Sequence, residues 1–182
     1  MNRDFLVHDS AVRALKHWPG LAVYELRYPP DRAHQLASLI DSHGLEQCLW
    51  VLDHLSGECA TRARIAFAAW CVDRGIRSFE STCPVDGRAR DAVFAARRWV
   101  TSPTGEYQHA AAVALLDAWR ASRACSQVGA LLAKAATHIM DESRSTAALV
   151  RSAFAQRGTC AWHGELEVQI GGLRNLLSGR DP

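Results

Sequence analysis

Residues 59–79 read CATRARIAFAAWCVDRGIRSF. Ile65, Ala68, Ala69, Val72 and Ile76 recur at i, i+3, i+4, i+7 and i+11, the apolar stripe of an amphipathic helix. Gly57 stands before the run, and a Pro84-Val-Asp-Gly87 turn follows it. Gly75 lies inside. It costs the helix up to about 1 kcal/mol relative to Ala, so a bend or a close packing contact is expected there.

Working outward, the same period recurs with short breaks. Asp86 is placed to cap a helix over Gly87 to Val100 that faces Ala89, Ala92, Val93, Ala96 and Val100 inward. Ser102-Pro-Thr-Gly105 interrupts. A helix from Gln108 to Cys125 follows, with Ala112, Leu115, Leu116, Trp119 and Ala124 read as its inner face. Helices over Val128 to Met140, Ser145 to Ala155 and Glu165 to Leu177 complete the C-terminal side. Upstream, Asp31 is a candidate cap for a helix ending at Gly44, and a short helix spans Leu45 to Leu55. Residues 21–28, Leu-Ala-Val-Tyr-Glu-Leu-Arg-Tyr between Pro19-Gly20 and Pro29-Pro30, are rich in strand formers and read as a short strand or an extended arm.

The expected fold is therefore all-α: a single-domain helical bundle of about seven to eight helices. Residues 1–40 form an N-terminal extension and 41–182 the bundle. The alanine-rich inner faces let helix axes approach closely. Trp50, Trp70, Trp99 and Trp119 are then placed to supply bulk.

At 182 residues the chain is long enough to build an ordinary core. A formal charge of +2 is too mild to require nucleic acid, so no specific duplex partner is expected. Nineteen of the 21 basic residues are Arg, and residues 58–123 carry the excess of positive charge. The run Ile65 to Val72 is far too short to span a membrane. Arg3 and Asp4 lie where a signal peptide would begin, and no apolar segment follows, so a cytoplasmic chain is expected. The six cysteines are then expected to be reduced, with Cys48, Cys59, Cys71 and Cys125 acting as small hydrophobes in helix stripes. Zinc is not expected, because no C-x-x-C pair is present.

Residues 59–123 carry one family pattern. Trp70-Cys-Val-Asp-Arg74 closes a long helix, Phe79-Glu80 and the Pro84/Asp86 turn follow, and then comes Arg90-Asp-Ala-Val-Phe-Ala-Ala-Arg-Arg-Trp99. This resembles the Imm-5-like immunity protein family, small α-helical bacterial proteins associated with toxin systems. The family-like core extends over 59–158. The turn carries one Asp where the family has a longer acidic run, and of the His-rich later helices only Thr137-His138 retains the character. The resemblance implies a non-enzymatic protein that neutralises a toxin or effector by direct contact.

The chain contains no nucleophile elbow, Walker loop, dinucleotide fingerprint or H-E-x-x-H. His138 with Asp141 and Glu142 sets a His and carboxylates one turn apart, a spacing that serves solvated hydrogen bonds as well as acid–base work. Cys71 beside Asp73 and Arg74 lacks an assigned base. No catalysis and no cofactor are expected. The strongest constellation is Arg62, Arg74, Arg90, Arg97, Arg98 and Arg123 beside Trp70, Trp99 and Trp119. Guanidinium forks and aromatic faces on successive helices suit a protein toxin or effector, or a small anionic nucleotide-like ligand held in an interhelical pocket. The competing reading puts the tryptophans in the core and pairs the arginines with Asp73, Asp91 and Asp117. A homo-oligomer is compatible with either.

Overall fold

The computed structural model describes residues 5–30, 32–79, 87–122 and 127–180. Helix accounts for 77% of the described residues. In chain order the elements are β1 (Leu6–His8), α1 (Asp9–Arg13), α2 (Leu21–Arg27), β2 (Ala33–Gln35), α3 (Ser38–His54), α4 (Glu58–Phe79), α5 (Gly87–Thr101), α6 (Gly105–Ser122), α7 (Gln127–Thr137), α8 (Ser143–Ala155) and α9 (Thr159–Leu177). The all-α expectation is met. The chain divides into two compact units, Met1–Ala63 with Ile170–Pro182, and Arg64–Gln169. The division falls within α4 and α9.

In the first unit β1 pairs antiparallel with β2, Val7 opposite His34. The Phe5 amide donates to the Leu177 carbonyl at 2.7 Å, tying the start of the chain to the end of α9. Residues 21–28 are a correction: Leu21–Arg27 is helix, neither strand nor arm. Tyr28, the extended residue that ends this helix, stacks its ring on Tyr24 at 4.8 Å, with Tyr24 fully buried. That packing outweighs the strand propensity of the segment. Asp31, the expected cap, lies outside the described residues; α3 begins at Ser38. Gly44 adopts φ +79° and breaks the helical path inside α3, where the sequence places a helix end. Trp18 is the buried tryptophan of this unit, its Nε1 donating to Gln47 Oε1 at 2.8 Å. Trp50 is half-buried.

In the second unit α5 packs on α6 and α7, α6 on α7, and α7 on α8. Ile65, Ala68, Ala69, Val72 and Ile76 are buried, as their spacing requires. Gly75 marks close packing: a Cβ there would meet Leu132 Cδ2 at 2.6 Å. On α5 the buried set is Ala89, Ala92, Val93 and Ala96. On α6 the expected inner face is corrected. Ala111 and Ala118 are buried and Leu115 is half-buried, while Ala112, Leu116 and Trp119 are exposed; Ala124 lies outside the described residues. Apolar residues surround most of this helix, so periodicity alone does not single out one face. Trp70 and Trp99 are half-buried like Trp50, so three of the four named tryptophans line core edges and Trp119 stands outside.

Cys48 and Cys71 are free and buried, whereas Cys59 is exposed, contrary to its assignment to an apolar stripe. Cys160 is exposed as well, and Cys83 and Cys125 lie outside the described residues. Among the described residues no helix is long and apolar enough to cross a membrane.

Candidate functional site

Alanines on the inner side of α5 bring it close to α6 and leave Asp91, Phe94 and Arg98 on its outer line at i, i+3 and i+7. Pro103 has no N–H to continue the helix. The last turn closes with Ser102 N donating to Arg98 O and Thr101 Oγ1 to Arg97 O, both at 3.0 Å. Thr104 Oγ1 accepts from Tyr107 N at 3.3 Å and opens α6. This reversal sets the Arg98 guanidinium 4.5 Å from the centroid of the Tyr107 ring, a cation–π arrangement. Phe94, Arg97, Thr101 and Ser102 complete an open hollow of about 520 Å³. Phe94 is 56% exposed.

Within the second unit, the predicted arginines and tryptophans that are described do not line one groove. Arg97 and Arg98 share the hollow, but Arg97 donates to Asp73 at 3.0 Å, a carboxylate that also pairs with Arg77 at 2.9 Å. Arg74 is committed to Glu165 at 2.9 Å. Arg90 is half-buried on α5, and Trp99 is half-buried beside it in sequence but does not line the hollow. Trp119 stands half-exposed on α6. Arg62 belongs to the first unit, paired with Glu58 at 3.4 Å. Arg123 lies outside the described residues, as does the Asp86 cap. Arg120, outside the predicted set, pairs with Asp117 at 2.7 Å.

Phe94, Tyr107, Thr101 and Ser102 were not among the sequence candidates. Their signal lies in the spacing: Phe94 sits one turn before Arg98, and the Ser-Pro-Thr-Gly break is just long enough to fold Tyr107 back beneath it.

A second cluster is buried within the second unit. Glu165 accepts from Arg74 and from Gln169 Nε2 (3.2 Å), Gln169 Nε2 also reaches Ala147 O, and Arg151 Nη1 donates to Gln169 Oε1 at 2.5 Å. Burial pushes the Glu165 carboxyl up, and the Arg74 hydrogen bond opposes it. Burial, then the Glu165 charge, pushes the Cys71 thiol well up, the opposite of an activated nucleophile. At the His138 set, the Ser145 hydroxyl donates to Glu142 at 2.6 Å and holds that carboxyl below its ordinary value, with Arg144 assisting.

These features define a helical protein with a cationic, aromatic hollow on the α5–α6 face. Comparison with protein families, with curated proteins and with solved structures returns no match.

Proposed function

We propose that the chain is a non-catalytic binding protein of the immunity type, which neutralises a protein toxin or effector by covering part of its surface. The reading draws on the sequence resemblance over residues 59–123 and on one structural observation that carries it. Arg98 rests on Tyr107 beside a largely exposed Phe94, in a hollow open to solvent. An exposed guanidinium next to two aromatic rings suits an acidic side chain flanking an apolar anchor.

The small anionic ligand is the second reading, favoured by a volume within the usual range of roughly 300–1,000 Å³. One feature weighs against it: a phosphate would call on both arginines of the hollow, and Arg97 already serves Asp73.

The test uses a protein captured from the source cells, purified and titrated against wild type, Phe94→Ala and Arg98→Ala. Each variant should weaken binding at least about tenfold, or 1.4 kcal/mol, at an unchanged thermal midpoint. Normal binding by both variants would refute the hollow as the contact. A midpoint raised by a nucleoside diphosphate in wild type but not in Arg98→Ala would favour the second reading.

A further inference from the structure

The hollow on the α5–α6 face is lined by two consecutive arginines that differ in what holds them. Arg98 is exposed, and among the described residues its guanidinium meets the Tyr107 ring and no carboxylate. Arg97 reaches Asp73 Oδ2 on α4 at 3.0 Å. The same oxygen takes Arg77 Nη2, one turn along α4, at 2.9 Å. Asp73 is 16% exposed and, like Arg77, does not line the hollow. One carboxylate outside the hollow therefore commits one of the two guanidiniums inside it.

That commitment separates two kinds of anion. A carboxylate carries one charge, and a single guanidinium fork satisfies it. Arg98 can supply that fork without disturbing any ion pair. A pyrophosphate or phosphate ester carries more charge on more oxygens and calls on a second guanidinium. To use Arg97 it must either draw that side chain off Asp73 or bind with Asp73 in place. In the second case two hydrogen-bond lengths, about 6 Å, separate the anion from the Asp73 carboxylate, within the screening length of about 8 Å. Like charges at that distance repel. Discrimination of this kind comes from a fixed charge set against the wrong ligand, at little cost to the right one.

We infer that Asp73 is a specificity-determining residue of the hollow: by holding Arg97 it leaves one guanidinium on offer, and so selects the single carboxylate of an acidic side chain over pyrophosphates and phosphate esters. The inference rests on the hollow being the contact surface proposed above. Asp73 touches no ligand; it is a positioning residue that acts through Arg97. An ion pair that only tied α4 to α5 would give no such selection.

Isothermal titration calorimetry with inorganic pyrophosphate tests it on wild type, Asp73→Asn and two double variants of equal net charge, Asp73→Asn/Arg97→Gln and Asp73→Asn/Arg77→Gln. Asp73→Asn should bind pyrophosphate at least about tenfold more tightly than wild type. The Arg77→Gln double variant should keep that gain to within about threefold, and the Arg97→Gln double variant should lose it. A general change in surface potential, or a merely structural role, would move both double variants alike. The arginines released are 41% and 71% exposed and can be hydrated, so the fold should survive. A circular dichroism melt checks this, and Asp73→Ser replaces Asp73→Asn throughout if the Asn variant unfolds. Wild type that binds pyrophosphate as tightly as Asp73→Asn overturns the inference, as does an equal response of the two double variants. The pyrophosphate series needs no protein partner. Normal partner binding by Phe94→Ala and Arg98→Ala would refute the proposed contact, whereas failure of the charge-matched pair refutes the role of Asp73 and leaves that contact standing.

Discussion

Replacing Glu165 with Ala probes the buried cluster of the second unit. The Glu165 side chain has no solvent exposure, and it accepts hydrogen bonds from Arg74 at 2.9 Å and Gln169 at 3.2 Å. Removing one member of a buried ion pair costs about 3–5 kcal/mol, because the other charge remains in a poor solvent. Arg74 is 36% exposed and recovers part of that by hydration, which places this pair at the lower end. Arg151, at 5% exposure, loses the carboxylate whose field it feels and keeps its bond to Gln169. Gln169 loses one acceptor, about 1 kcal/mol. The expected loss is about 3–4 kcal/mol, roughly 6–15 °C in thermal midpoint for a chain of this size. Urea denaturation followed by circular dichroism measures it. Glu165→Gln should lose less, since its amide oxygen still accepts from Arg74. The two variants also separate the sign of the pH effect. The Glu165 carboxyl is raised in the folded state, so the native protein takes up its proton at higher pH than the unfolded chain. The stability of wild type relative to Glu165→Gln should therefore rise as pH falls from neutrality toward the ordinary carboxyl value of 4.5. A loss below about 1 kcal/mol in Glu165→Ala, less than breaking even a partly hydrated buried pair should cost, would refute the reasoning.

Gly75→Ala should destabilise the protein by about 0.5–2 kcal/mol in urea denaturation, because the gain in helix propensity is smaller than the cost of moving the fully buried Leu132. A stabilised variant would show that Leu132 yields freely. Burial holds His43 below the ordinary imidazole value of 6.5, so its contribution is complete above that pH and is lost as pH falls below it. His43→Gln should flatten that part of the stability profile, and an unchanged acid slope would assign it elsewhere. Under a native thiol reagent with peptide mapping, the exposed Cys59 and Cys160 should be modified, while Cys48 and Cys71 stay protected until the chain unfolds, since burial raises both of these thiols. Early modification of Cys71 would contradict its burial.

The sequence by itself determined the helical class and the inner faces of two central helices. The stripe through Ile65, Val72 and Ile76 and the one through Ala89, Ala92 and Ala96 each have polar residues opposite, so the period marks one face without ambiguity. Gly44 and Gly75 were also legible as special positions. Of the candidate site, Arg98 could be read as lying outside an apolar stripe near a helix end. Its partners Tyr107 and Phe94 could not, because a sequence does not show the angle at which a four-residue break returns the chain. Only the tertiary structure decided which arginines were already taken. Asp73 captures Arg97 from 24 residues away and Glu165 captures Arg74 from 91, and pairing across such separations leaves no local trace. It also decided the orientation of α6. Where apolar residues nearly encircle a helix, local periodicity assigns no inside, and the neighbouring helices choose Ala111 and Ala118 because small side chains let the axes come close. Residues 21–28 show the same rule from the other side: their strand propensity amounts to less than the free energy of burying Tyr24 against Tyr28 and Trp18, and burial is a property of the folded chain.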